Sequence, residues 1–563
     1  MVATDGMPAL VPETAAPPRR RGGLWAAAAA AALVGAGLWL AGRTGPAIAA
    51  LAAGGLVVGF RLGITALRRG LSAGHGVVGV ARAVVEEAVG TRLPVLLVVL
   101  LVVGLPLLPL LLDPAERLEY RLQFFLAWSL SAAGFLLALL TIFLACGSVC
   151  GDIDSQRIHM ALVKPLGRGQ YLLGKWLGIV LLDGLLVALV GGGVFATATV
   201  VRRLPANDAA DRRAVDEEVF TARSAARPEH PRGRDFEADV AAAIEQARRD
   251  DPRSFAADPA GARRRILAQR VLEWHTVTAD TVAGFLFTGL DPGRIAGPVV
   301  QLRLKPFADN VGVDRAPVRF ALWLNDRPYP VKDGRHEEYT LTSGNFHTLE
   351  LPTSAIDAQG RLRVAIANRN LVPPGETRPT SIAFSPGQGL ELLHRSGSFT
   401  GNFLRCLAVA WAKLAILAAA ALAAASWLGF PIAVLASLMV YVAAVARGFL
   451  ADAIDIYTGA DRADATLADM VRLRATLLFE RLDRLELWDA CKTLTSLAAD
   501  GFLALVPSFG GHDGVTELAT GRLLPPAQAL QSVAELGLLY PAVLLACGWL
   551  LLSRRDLVDV SGF

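Results

Sequence analysis

The chain is short of charge. Only 19% of its 563 residues are Asp, Glu, Lys or Arg, while 53% are hydrophobic and the mean hydropathy is +0.44. An ordinary soluble domain carries about 25% charged residues, so composition argues against a soluble enzyme of this length. Cysteine is equally scarce. Cys146, Cys150, Cys406 and Cys547 lie in or beside apolar runs and only Cys491 sits in a polar segment. Such placement supports neither a disulfide framework nor a metal knuckle, and Cys146 and Cys150, on one helix face, read as small core residues. The net charge of +4 is small. Its positive residues cluster beside apolar runs, which speaks to membrane orientation and not to nucleic acid.

Strings that resemble catalytic motifs lack their settings. Gly169-Gln-Tyr-Leu-Leu-Gly174-Lys175 has phosphate-loop spacing, but Trp176 stands where Ser or Thr would hold magnesium. Gly70-Leu-Ser72-Ala-Gly74 and Gly74-His-Gly76-Val-Val-Gly79 follow Arg68 and Arg69 with no preceding strand, and read as small-residue bends. His336-Glu337-Glu338 lacks the second histidine of a zinc-protease helix, and His275, His347 and His394 read as ordinary surface or core histidines. No catalytic group, metal or cofactor is expected.

What the sequence does have is length without charge. Apolar runs fall at about 24–41, 46–60, 93–112, 122–149, 173–201, 403–428, 430–447 and 533–552, the 46–60 run being the weakest because it is short. Roughly 18 or more apolar residues cross about 30 Å of hydrocarbon as a helix, so eight spans are expected. The first two form a hairpin after Arg19–Arg21 in preference to a cleaved signal. Arg and Lys fall beside alternate loops: Arg19–Arg21; Arg61, Arg68, Arg69, Arg82 and Arg92; Arg157, Lys164, Arg168 and Lys175; Arg554 and Arg555. The positive-inside bias then puts all four regions, and both termini, in the cytoplasm. Within 61–92, Val80, Val84, Val85 and Val89 recur at helical spacing among Arg82, Glu86 and Glu87, the pattern of an amphipathic helix at the interface.

The long polar segment 202–402 accordingly lies outside. Residues 205–270 are Ala-rich and charged, and predict helix. From about 271 to 400, short alternating runs such as Val299–Leu304, Val318–Leu324, His347–Leu351 and Leu362–Ile366 are divided by Gly, Pro and Asn-Asp turns. These predict a β-sandwich. A second polar segment, 448–532, predicts an amphipathic helix over Asp461–Leu497, then a structured loop. The expected fold is an α-helical polytopic membrane protein with an inserted extracytoplasmic α+β domain.

The stretch richest in chemistry joins the fourth and fifth runs. Asp152 and Asp154 precede Arg157, then Lys164-Pro165 with Arg168, then Gly174-Lys175 with Gly178. The spacing predicts a short charged helix, broken at Pro165, that re-enters the membrane through a Gly/Lys hinge and can dock in a partner's groove. This stretch resembles the loop of the ABC-type-2 permeases, closest to the exporter-like branch serving nitrous-oxide-reductase maturation and gliding systems. The 61–92 helix and the ending Gly548-Trp-Leu-Leu-Leu-Ser-Arg554-Arg555-Asp556-Leu557 resemble that family as well. The resemblance covers about 63–200 and 403–560, and implies six core spans, a dimer with itself or a paralogue, a bacterial inner membrane and a separate ABC ATPase subunit. It also implies a coupling role for Asp152, Asp154, Arg157, Lys164, Pro165, Arg168, Gly174 and Lys175 on the 150–172 loop. The 24–60 hairpin and the large outer domain exceed the family pattern, and an envelope partner for that domain fits the excess. They also motivate an alternative, a membrane-anchored scaffold or sensor that needs no ATPase. Asp183 and Lys413, ionisable residues within the fifth and sixth runs, are candidates for a polar site on a substrate path or for helix pairing with each other.

Overall fold

The computed structural model describes residues 23–554 apart from 41–43, 73–75, most of 91–112, 114, 157–166, 230–233, 253–254, 256–258, 291–292, 294, 296, 309–316, 371–379, 387–388 and most of 459–505. Among the described residues six helices are long and apolar enough to cross a membrane, and a separate β-sheet region is inserted between two of them. This is the architecture of a polytopic helical membrane protein with an extra domain.

The helices are α1 (Gly23–Leu40), α2 (Thr44–Gly70), α3 (Val77–Gly90), α4 (Leu118–Asp154) and α5 (Arg168–Val201), followed by α6 (Ala209–Ala214), α7 (Arg234–Asp250) and α8 (Pro259–Trp274). After the sheets come α9 (Phe399–Ala425), α10 (Phe430–Thr458), α11 (Gly514–Ala519) and α12 (Pro526–Arg554), the last with one π turn at Glu535–Leu539. The 93–112 run and the Asp461–Leu497 helix lie largely outside the described residues.

Several bounds differ from the sequence pattern for one reason: hydropathy marks where a helix is apolar, not where it ends. The short second run becomes a 27-residue helix that continues through Arg61 to Gly70, so the amphipathic helix is α3 alone. α4 and α5, with 37 and 34 residues, are rods of about 55 and 51 Å at 1.5 Å per residue, well beyond the hydrocarbon thickness. Asp152 and Asp154 lie on the last turn of α4, and Arg168 opens the first turn of α5.

α3 does not lie across the bundle. Its buried face, Ala81, Val84, Val85 and Ala88, runs alongside the start of α5. A Cβ on Gly174 would meet Val77 O at 2.7 Å, and one on Gly178 would meet Ala81 O at 2.6 Å. The glycines expected to hinge α5 instead form a small-xxx-small seat in an unbroken helix, where only their missing side chains let two backbones approach so closely. α5 and α9 are tied by two reciprocal tryptophans: Trp176 Nε1 donates to Ala415 O at 2.9 Å and Trp411 Nε1 to Val180 O at 2.8 Å.

The inserted domain is a sandwich. One sheet has the order β1 (Ala222–Ala226), β14 (Leu390–Gly397), β4 (Val299–Leu304), β11 (His347–Pro352). The facing sheet runs β10 (Tyr339–Thr342), β6 (Pro317–Leu324), β12 (Leu362–Asn368), β3 (Val282–Phe287), with β7 (Arg327–Tyr329) beside β6. A small sheet of β2 (Thr276–Val277), β13 (Ile382–Phe384) and β5 (Pro306–Ala308), and a hairpin of β8 (Val331–Lys332) and β9 (Arg335–His336), complete it. Alternation sets the faces: Val318, Phe320, Leu322 and Leu324 of β6 point into a core shared with Leu302 and Leu392 from the other sheet. Six predicted strands are present. β1 is the correction, because it lies within 205–270, where the sequence reads as helix; five residues rich in Ala carry no strand signal until β14 pairs with them.

Candidate functional site

The described candidate coupling residues lie at the bundle end opposite the sandwich. Arg157, Lys164 and Pro165 fall outside the described residues. Of the others, Asp152, Arg168 and Lys175 form two clamps, Gly174 belongs to the α3 seat and Asp154 is exposed. Arg168 Nη1 donates to Leu552 O and Ser553 O, each at 2.8 Å, so its guanidinium caps the last carbonyls of α12, where a cation is favoured. Lys175 is 4% exposed. Its Nζ lies 2.7 Å from Asp152 Oδ2 and 3.7 Å from Glu87 Oε2, and donates to Ser148 O at 3.0 Å. Tyr171, one helical turn before Lys175, donates its hydroxyl to Asp152 Oδ2 at 2.7 Å.

One ammonium thus joins α3, α4 and α5. Two acidic residues on the last turn of α4 oppose the helix dipole, and Lys175 offsets that penalty for Asp152. Burying the ammonium is tolerable because Asp152 and Ser148 oxygens lie within 3.0 Å of it and the Glu87 carboxylate at 3.7 Å adds a second opposite charge. Sequence order brought Asp152 and Lys175 into one loop motif; it did not reveal Glu87, Ser148 or Tyr171. The i, i+4 spacing of Tyr171 and Lys175 on one helix face was the available signal.

Asp183 and Lys413 do not pair. Asp183 is fully buried; its Oδ2 accepts from Thr141 Oγ1 of α4 at 2.9 Å, while Oδ1 has no partner. It ties α4 to α5. Lys413, at the middle of α9, reaches towards the sandwich side, where Nζ donates to Phe509 O at 2.9 Å. The 506–513 segment is re-entrant: Phe509 N–H donates to Ala444 O at 3.0 Å and Arg447 Nη1 donates to Val506 O at 2.9 Å. Non-helical backbone at membrane depth needs such partners.

At the sandwich side a second ionic cluster joins three distant segments. Glu391 of β14 is fully buried and pairs with Arg522, with Arg303 at 3.7 Å and with Arg227 at 3.8 Å. Burial holds its carboxyl above the ordinary range, against the pull of Arg522, Arg303 and Arg227. Arg223 of β1 pairs with Gln301 and donates to Thr520 O at 2.8 Å. Its backbone brackets the same strip, Arg223 N to Gly521 O and Leu523 N to Arg223 O, both 2.8 Å. Gly521, at φ +63, admits no side chain because a Cβ would overlap Glu218 O. Asn402 of α9 then clamps the strip from below, donating to Arg522 O at 2.7 Å and accepting from Leu524 N at 2.8 Å.

The histidines remain apart: His275 Nδ1 lies 2.8 Å from Val271 O, and His347 Nε2 2.8 Å from Thr342 O. Among the described residues, no His, Cys, Asp and Glu side chains group as metal ligands would. Compared with protein-family models, with curated proteins and with solved structures, the chain matches none.

Proposed function

We propose that this chain is the permease subunit of an ABC-type transporter, driven by a separate ATPase subunit and embedded in a bacterial inner membrane with both termini cytoplasmic. The observation that carries this reading is the joint at the bundle end opposite the sandwich. Arg168 holds α12, Lys175 holds α3 and α4, and both side chains stand on the first two turns of α5. A push delivered to the 150–172 turn therefore reaches four helices together, as a rigid coupling element requires. ATP binding would close the ATPases, move this joint and change access between the spans. A second permease copy, or lipid, covers the stripe Ile432, Leu435, Met439 and Val442 on α10, each more than half exposed.

The test is co-purification of the tagged protein from its native membrane. An ATPase with a full phosphate loop is expected with the wild type and is lost when Lys164 and Pro165 are both replaced by alanine. Adding Arg168→Ala is expected to loosen α12 as well, while Arg168→Lys retains part of the cap. If cross-linking captures no ATPase, the permease reading fails. The second reading then leads, an envelope scaffold whose sandwich binds a ligand or protein; the buried ionic fastening of the sandwich to α9 is what favours it.

A further inference from the structure

We propose that the membrane-level cavity beside Lys413 binds an amphiphile with an alkyl chain and an anionic head, carboxylate or phosphate. The proposal rests on the membrane architecture and is independent of any ATPase. The cavity, about 390 Å³, lies among α4, α5, α9 and α10 under the re-entrant 509–515 segment. Its walls are apolar, with Leu137, Val190, Leu414 and Leu417 among them, and Tyr441 and Lys413 add polar groups. A cavity of this size suits one small ligand or one acyl chain, not a whole diacyl lipid.

Three observations select the ligand. The first is the cation. An ammonium within a span is costly and marks a partner or a path. Lys413 Nζ carries three donors, and Phe509 O is the hydrogen-bond acceptor found for it among the described residues. No carboxylate of the described residues lies within 4.0 Å of it. Asp513 also lines the cavity, but its oxygens are engaged by Val515 N at 3.0 Å, Thr516 N at 3.5 Å and Thr516 Oγ1 at 2.5 Å, which cap α11. The cavity therefore offers, inside an apolar enclosure, an ammonium that holds Phe509 O, lies 5.5 Å from the Phe509 ring centroid and has no carboxylate of the described residues against it.

The second observation is the entrance. Phe135 of α4 and Val445 of α10 line the cavity and are 48% and 54% exposed. Phe135 and Tyr441 stand with ring centroids 6.3 Å apart across the gap between those helices. The proposal places the entrance of the alkyl chain in this gap between α4 and α10. The third is the roof. Phe509 stands 6.3 Å from Tyr441, ring centroid to ring centroid, and carries the carbonyl held by Lys413, so an anionic head at the remaining donors of the ammonium would sit directly beneath the roof. The roof continues through residues 520–524 to the sandwich, which gives an occupied cavity a route to the inserted domain.

The experiment uses the full chain in phosphatidylcholine nanodiscs, with bound small molecules read by native mass spectrometry. The probes are palmitate, phosphatidylglycerol, and hexadecanol as a neutral control of equal chain length. Wild type is expected to retain an anionic probe at least ~10-fold more strongly than hexadecanol. Lys413→Gln is expected to abolish that preference and Lys413→Arg to keep it. Gly134 lines the cavity with open space where its Cβ would be, so Gly134→Leu is expected to weaken all three probes together without touching the cation. Retention of palmitate alone assigns a free single-chain amphiphile, and retention of phosphatidylglycerol alone assigns a membrane lipid inserting one chain. Equal binding of charged and neutral probes overturns the proposal, as does binding that Gly134→Leu leaves unchanged. An unaltered melting temperature for Lys413→Arg, with its preference lost, overturns it too.

Discussion

The two ends of the helical bundle are each fastened by buried charge, with different chemistry. Opposite the sandwich, a single lysine joins three helices of the chain's first 201 residues, and its partners Asp152 and Glu87 remain 19% and 37% exposed. On the sandwich side, arginines surround one carboxylate, Glu391, that has no exposure at all. The difference follows from what is being joined. A compact ammonium suffices where three helices already pack. Joining β1, β14 and the 520–524 strip, which are far apart in sequence and meet at one point, needs planar guanidinium forks that reach backbone and side chain together. The sandwich end closes around a fully buried carboxylate, whereas the clamp at the opposite end leaves its acidic partners partly exposed.

The comparison is broken most directly at Glu391. Glu391→Ala leaves Arg522, Arg303 and Arg227 facing an empty site, and removing one partner of a buried ionic group costs about 3–5 kcal/mol. Thermal unfolding in detergent is expected to show that loss. Lys175→Met, whose former partners can turn to water, is expected to cost less, on the order of 1–3 kcal/mol. Equal losses would mean that the two ends do not differ.

A smaller effect is expected from the glycine seat of α3. Gly178→Leu drives a side chain into Ala81 and Val84, and overpacking costs about 1–3 kcal/mol. The discriminating readout is carbodiimide coupling of Glu87 on α3 to Lys175 on α5, 3.7 Å apart, which the substitution should abolish while the α5–α9 tryptophan contacts persist.

The smallest effect is electrostatic. Asp211 caps α4 from 92 residues away, accepting from Leu118 N at 2.9 Å and Glu119 N at 3.0 Å, and from Asn207 N at 3.0 Å. Burial alone would raise its carboxyl; the N–H groups of Glu119, Leu118 and Asn207, with Arg117, outweigh that and hold it below the ordinary range. A carboxyl lowered in the folded state stabilises above its unfolded pKa, about 3.9, and that stability is lost as pH falls through the lower folded value. Asp211→Ala is expected to cost about 1 kcal/mol at neutral pH, and to remove this acid-side slope from stability measured against pH.

Much of this molecule was legible because hydropathy and alternation are local properties. The runs at 122–149, 173–201, 403–428 and 430–447 each lie within a long helix or overlap its greater part, and six of the sandwich strands stand where alternation put them. Helix ends were not legible, since α4 and α5 continue into polar turns that pair with one another. Nor was β1, whose Ala-rich sequence becomes a strand only beside β14. The Gly174-Lys175 motif reads as a hinge, whereas in the structure it is a packing seat and a buried clamp in an unbroken helix. The separation of Asp183 from Lys413 required knowing which helix faces which.

By itself the sequence determined that this chain partitions into membrane and that a sandwich interrupts its spans, because burying apolar surface depends on composition over a window of residues. Only the tertiary structure decided where the scarce charges go. The carboxylate that caps α4, the arginines that meet at Glu391 and the re-entrant carbonyl that holds Lys413 come from segments about 90 or more residues apart. A buried charge must find its partner through space, and no local pattern records which one.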